Sequence, residues 1–225
     1  MAKKIAIVIS GAVSLGSYEA GVMFEIINAL AHHNQFHSED QIKIDAIVGA
    51  SAGAMTAAVL THRLLFEPDG LAQKDTNALY QVWVKKTRIE DLLKESPGDD
   101  PRNSILSSSY IAQLGKDFLP PPTGPGAPHS AAAARIQLGF AMTNLNGLDY
   151  GVKTLSGNDF IYTHFEDCMI RTIDSTCPQA TDWGEIREAA IASGSFPFAF
   201  AEREIVRHAS DPSIKSLNLR DDFSQ

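Results

Sequence analysis

The sequence predicts an α/β fold, a three-layer sandwich around a mainly parallel central sheet, and three observations lead there. Ile5–Ile9 (IAIVI) is a short β-branched run without polar alternation, as expected of a strand covered on both faces. A second apolar run, IDAIV at residues 44 to 48, has the same length. Each is followed by a turn of small residues and then by apolar residues at helical spacing, so the order strand, helix, strand, helix describes crossover units packed on a sheet. With 225 residues, 44% hydrophobic and 20% charged, the chain can bury a core without external staples. One domain over residues 1–225 is the expectation.

Residues 17 to 33 form the first helix in this reading. Ser17 serves as its cap, Glu19 lies near the positive N-terminus, and Val22, Met23, Ile26, Ile27 and Leu30 recur on one face. HHNQFHSEDQ is a polar exit. After the second strand comes a turn around Ser51 and a small-residue helix from Ala52 to about Arg63. Residues 75 to 95 read as helical, with Leu79, Val82, Trp83, Ile89, Leu92 and Leu93 on one side, until ESPGDDPRNS breaks the pattern. The stretch LPPPTGPGAPHSAAAA, 119 to 134, reads as a mobile surface loop within the domain. RIQLGFAMTNL and DFIYTHF are two further strands. DWGEIREAAIAS is a last helix, capped by Asp182, with Ile186, Ala189 and Ala190 inward and a stop at GSFP.

Composition excludes some functions. A net charge of −8 and a pI near 5.3 leave no basic excess to displace phosphate counterions, so no nucleic-acid partner is expected. Cys168 and Cys177 lack metal-ligand spacing and are read as free thiols of a reducing compartment. The apolar run in MAKKIAIVISG is too short for a secretory signal, which makes it strand 1 of a cytoplasmic protein. No run approaches the roughly 18 apolar residues of a membrane span, so any lipid contact is expected to be peripheral. His32, His33 and His37 have no supporting carboxylate spacing and read as a solvated helix end; neither metal nor cofactor is expected.

GASAG, residues 49 to 53, places Ser51 between a strand and a helix. It is either a nucleophile on a sharp strand-to-helix turn or a serine capping the helix. The pentapeptide alone is a weak signal. Context favours the nucleophile, because Ala50, Ala52 and Ala54 join Gly49 and Gly53 in keeping side-chain volume low around it. A second turn, ISGAVSLGSYEAGV, leads strand 1 into a helix N-terminus whose unpaired N–H groups attract negative charge. A P-loop requires lysine after Gly16, where Ser17 stands, and a dinucleotide fingerprint requires glycine at position 13, which is Val13. An oxyanion hole remains.

In order, spacing and strand context, SGAVSLGSYEAG, GASAG and AAIASGSFPFAF resemble the patatin-like phospholipase family, with matches over residues 5 to 63 and 135 to 200. The resemblance implies a patatin-like sandwich in which a Ser-Asp dyad hydrolyses lipid acyl esters without a metal. By position it makes Ser51 the nucleophile, Gly49 and Gly53 the elbow glycines, and Gly11, Ala12 and Val13 the oxyanion loop. Two departures stand out. The family loop is richer in glycine and often carries a basic residue where this chain has Leu15. The family's aspartate lies in an Asp-Gly-Gly or Asp-Gly-Ala motif beyond the SFPFAF-like segment, and residues 201 to 225 contain neither. Asp69-Gly70 comes before two predicted strands, and Asp211, Asp221 and Asp222 lack the glycine. The expectation is therefore that the sequence stops before the motif and that Ser51, without its base, is inactive in this chain. His164 offers a base in a Ser-His-Asp arrangement, but its alternation with Tyr162 along a strand reads as structural.

The resulting expectation is a cytoplasmic lipid acyl hydrolase, phospholipase-like and active in lipid degradation, with peripheral membrane contact and a lipid or ester substrate. Its alternatives are a non-catalytic lipid-binding or interaction domain on the same fold, and a serine esterase acting on soluble substrates.

Overall fold

The computed structural model describes residues 2–12, 15–153 and 159–206. In chain order these form β1 (Lys3–Ile9), α1 (Gly16–Phe36), β2 (Ile42–Ala50), α2 (Ala52–Phe66) and a 3-10 turn at Pro68–Leu71. Next come α3 (Ala78–Tyr80), running into a π-helical turn at Gln81–Lys86, then α4 (Ile89–Leu92) and α5 (Ser108–Phe118). β3 (Ala132–Lys153), β4 (Asp159–Asp174), a 3-10 turn at Pro178–Ala180 and α6 (Trp183–Gly194) complete the described chain.

The fold is α/β with a mainly parallel sheet flanked by helices, as the sequence predicts. The strands lie in the order β1-β2-β3-β4, the first three parallel and β4 antiparallel to β3. Stepping from β1 to β2 to β3 always moves in one direction, so right-handed crossovers bring α1 and α2 to one face. On that face Ile7, Ile9, Ile44, Ile47, Ile136, Leu138 and Phe140 are buried. They pack with Ala54, Ala57, Ala58, Leu60 and Leu64 of α2, which is buried almost all round, as a helix enclosed by other elements must be. α6 adds Trp183, Ile186, Ala189 and Ala190 to the same core. The other face is barely covered among the described residues: Val8 is 78% exposed. Both-sided covering of strand 1 is thus met on one side only.

Three local expectations are corrected. α1 begins at Gly16 with Leu15 at the cap position and no side-chain cap, so Ser17 lies inside the helix. Gly16 is needed there because a Cβ would stand 2.3 Å from the Trp83 ring. The helix expected over 75 to 95 is broken by the π-helical turn, which buries Val82 while Ile89 and Leu93 stay exposed. Finally, the stretch 119 to 134 is tied down rather than free. Gly126 N–H donates to Ser175 O at 2.8 Å, His129 N–H donates to Leu64 O at 2.7 Å, and Ala131 and Ala132 are buried at the start of β3. Asp182 caps α6 as expected, accepting from the N–H groups of Gly184 and Glu185.

Candidate active site

Ser51 sits where β2 turns into α2, with φ 55° and ψ −124°. An L-residue reaches that region only against steric resistance, and such strain persists where the surroundings over-determine it. The surroundings here are the two flanking glycines. A Cβ on Gly49 would stand 2.2 Å from Gly53 O, and one on Gly53 would stand 2.4 Å from Ile9 O at the end of β1. Both collisions are with backbone, so neither can be relieved by a side-chain rotation. The spacing glycine, serine, glycine is therefore a packing requirement: the first lets α2 start against β2, the second lets β1 pass across the start of α2.

From the other side the turn is held by a serine that sequence reasoning missed. Ser193, near the end of α6, accepts the Ser51 N–H at 2.8 Å and donates to Ala141 O at 2.6 Å. Since Ala141 pairs with Ala50, one hydroxyl joins α6, β3 and the turn. Ser193 lies within the AAIASGSFPFAF segment, yet nothing in its residue type marked it as a clamp.

Gly11 is brought to the same place, since a Cβ on it would lie 3.3 Å from Ser51 Cβ. Ala12 follows it, half-buried, and Val13 lies outside the described residues. Behind them the first turn of α1 is anchored to α2. The Thr56 hydroxyl accepts from Trp83 Nε1 at 3.0 Å and faces the Glu19 carboxylate at 3.1 Å and Ala52 O at 3.0 Å. Burial raises the Glu19 pKa, and the Thr56 hydrogen bond opposes that rise.

Among the described residues no acid or histidine hydrogen-bonds the Ser51 hydroxyl. Asp69 lies past the far end of α2, whose 15 residues span about 22 Å. His164 is on β4, facing Glu166 at 3.5 Å. Ala141, level with Ala50, pairs with Cys168, so His164 stands four residues further out, about 13 Å along the strand. Asp211, Asp221 and Asp222 lie outside the described residues. His33 and His37 stack at 4.4 Å at the end of α1, where His33 Nε2 meets Asp40 O and His37 Nδ1 meets His33 O.

Ser51 is thus strained between two glycines that admit no side chain, with Gly11 against it. The model of the family described as patatin-like phospholipase matches residues 7–214. The chain belongs to the patatin-like phospholipase family. One relative is the uncharacterized protein y4iI of Sinorhizobium fredii (strain NBRC 101917 / NGR234), 24% identical over an alignment that covers 99% of this chain and 39% of that protein. A solved structure, the heterodimeric complex ExoU-SpcU from the type III secretion system of Pseudomonas aeruginosa, aligns with a TM-score of 0.32 and 17% identity, over 93% of this chain and 39% of that one. The chain thus spans about two fifths of the length of these matches. Among the described residues of this patatin-like chain, no helix is long and apolar enough to cross a membrane.

The exit from α6 carries three phenylalanines. Phe196 and Phe198 are 70% and 82% exposed, and Phe198 has a positive φ of 69°. Phe200 packs inward with Leu92, Ile111, Leu114 and Ile191.

Proposed function

We propose that this patatin-like chain carries the nucleophile, Ser51, of an enzyme that hydrolyses carboxylic esters, the acyl esters of phospholipids or other lipids, through an acyl-serine intermediate, with turnover dependent on an aspartate outside the described residues. The observation that carries the reading is the backbone of Ser51 itself, held at positive φ between two glycines that admit no side chain. Strain of this kind projects a hydroxyl out of a strand-to-helix turn, where a substrate carbonyl can reach it. Ser51 Oγ attacks the acyl carbon as its proton passes to a base, an aspartate outside the described residues. The oxygen that becomes negative is held by the amides of Gly11, Ala12 and Val13, with the N-terminus of α2 adding its dipole. Because the Ser51 N–H is already donated to Ser193, it is not a free donor. Collapse of the intermediate expels the alcohol with its proton, and water then releases the acyl group.

Lipid rather than soluble ester is supported by Phe196 and Phe198, which stand exposed on the segment leaving α6 directly after the Ser193 clamp. With a net charge of −8, attachment depends on apolar insertion at a lipid surface and is only weakly salt-sensitive. The reading includes a cytoplasmic location with peripheral membrane contact. The alternative, a non-catalytic lipid-binding domain, is favoured by one observation, the lack of a base at the Ser51 hydroxyl among the described residues.

A fluorophosphonate probe tests both. Stoichiometric labelling at Ser51 that disappears in Ser51→Ala, together with loss of lipid-ester turnover, is the expected result. Lipid binding with neither labelling nor turnover supports the non-catalytic reading.

A further inference from the structure

Two cavities that share part of their walls lie in the helical layer, the outer one next to the Ser51 turn. The outer one, about 10 Å³, is walled by Ser108, Gly194, Ser195, Phe200 and Arg203. The inner one, about 50 Å³, lies among Val59, Val82, Trp83, Leu114 and Phe118. Met55, Ile111 and Ile191 belong to the walls of both. Gly194 joins the outer cavity to the nucleophile, because a Cβ on it would stand 3.8 Å from the Ser51 carbonyl carbon. The same Cβ would stand 2.6 Å from Met55 Cε, so the thioether methyl rests on the bare glycine, at the neck between the two spaces.

The line of the cavities follows α2. Ser51, Met55 and Val59 are four residues apart and lie on one face of the helix, each about 6 Å deeper than the last. Both spaces are walled almost entirely by carbon. The outer one counts Ser108, Ser195 and Arg203 among its residues, with the Ser195 hydroxyl bonded to Ile191 O and a guanidinium nitrogen of Arg203 to Ser108 O. The inner walls are carbon, apart from Thr87 and Arg187, and one guanidinium nitrogen of Arg187 is committed to Leu119 O at 2.8 Å. Part of the inner wall is the π-helical turn that holds Trp83, a backbone irregularity found often at functional sites.

We propose that these cavities are the two ends of one channel for the acyl chain of the scissile ester, and that Met55 is the gate that sets the chain length admitted. The proposal rests on the ester-hydrolase reading of Ser51 and names the part of the substrate the helical layer recognises. Methionine suits the neck because its unbranched side chain has three rotatable bonds and can swing aside without moving the backbone. The closed volumes are those of a channel with its gate shut. An acyl chain esterified to Ser51 enters beside Gly194, displaces the Met55 methyl and fills the carbon-walled space beyond.

The test reads chain-length preference as the ratio of kcat/KM for 4-nitrophenyl decanoate to that for the butyrate. Leu114→Trp, which fills the inner cavity, lowers this ratio at least tenfold. Met55→Ala, which removes the gate, raises it at least threefold. Equal effects on both esters in both variants overturn the proposal. Should Leu114→Trp fail to fold, as judged by circular dichroism, Met55→Ala carries the test alone. A second measurement needs no hydrolysis: the affinity of cis-parinaric acid for Ser51→Ala, with and without Leu114→Trp or Met55→Ala. Absence of ester turnover with parinarate binding at least tenfold weaker in the Leu114→Trp background means that the hydrolase reading fails and the channel stands. Turnover with no chain-length response, or parinarate binding indifferent to both substitutions, means that the channel fails.

Discussion

The two ends of α2 are built on opposite principles. At its N-terminal end Ser51 is strained, surrounded by residues without bulk, and adjoined by cavities. At its C-terminal end His62 and Arg63 are almost wholly buried against Trp183, Phe66 and Phe118. His62 Nε2 bonds Pro120 O at 2.8 Å, its ring meets Trp183 edge-on at 4.7 Å, and Arg63 pairs with Glu67 and bonds Phe118 O. Burial drives the His62 pKa down to about 4, which keeps the ring neutral at ordinary pH. Polar side chains at the far end thus stabilise one packing arrangement, whereas at the near end space and backbone strain are kept open for a reacting group. One helix carries both because its middle is buried on every side and fixes the distance between them.

The comparison is broken most severely at the glycines. Gly49→Ala places a methyl 2.2 Å from the Gly53 backbone, so either the β2–α2 junction moves or the fold is lost; destabilisation of about 3 kcal/mol or more is expected in urea unfolding. Gly70→Ala at the far end meets only the flexible Arg63 side chain, at 3.4 Å, and is nearly neutral.

Acid sharpens the contrast from the other end. An unfolded His62 takes up a proton near pH 6.5, and the folded one does so only near 4. Below pH 6.5 the unfolded chain therefore binds a proton that the folded chain refuses. Stability falls as the pH drops from about 6.5 to 4, by up to about 3 kcal/mol, and this contribution is constant above that window. Urea midpoints measured across the window show the fall, and a His62→Gln variant flattens it.

Gly11→Val places methyl groups beside Ser51 Cβ and disturbs the proposed donor loop. It lowers ester turnover about 100-fold, near 2.7 kcal/mol of barrier, while the melting temperature changes little. Full turnover in a folded Gly11→Val protein would move the oxyanion site elsewhere. A smaller effect than that of Gly11→Val is expected for Ser193→Ala, which removes the clamp between α6 and the Ser51 turn. It costs about 1 kcal/mol in stability and about tenfold in kcat with KM nearly unchanged, measured on one short-chain ester.

Much of this architecture was legible in the residues. The two β-branched runs, the small-residue turns after them and the Asp182 cap are local signals, read by spacing and side-chain chemistry alone. Elsewhere local spacing misled. Leu79, Val82, Trp83, Ile89, Leu92 and Leu93 follow a helical pattern, but the ring of Trp83 has to meet Gly16 and Thr56, and the backbone widens into a π-helical turn there. The Pro- and Gly-rich stretch after α5 looks mobile by composition. It is held because Gly126 alone fits under the end of α2, where a Cβ would stand 2.0 Å from Leu65 O.

What the sequence determined by itself is the α/β class, the family, and the serine between two glycines, because each is carried by neighbours in the chain. Only the tertiary structure decided that Gly11, Ser193 and Gly194 converge on Ser51, that Met55 stands between two cavities, and that one sheet face is covered by helices while Val8 on the other is exposed. Those facts join distant residues, Ser51 and Ser193 being 142 positions apart. Their causes are the shared direction of the crossovers, which gathers the helices on one side, and the close approach of β1, β2, α2 and α6 at the end of the sheet. No property of a single segment records where four segments meet.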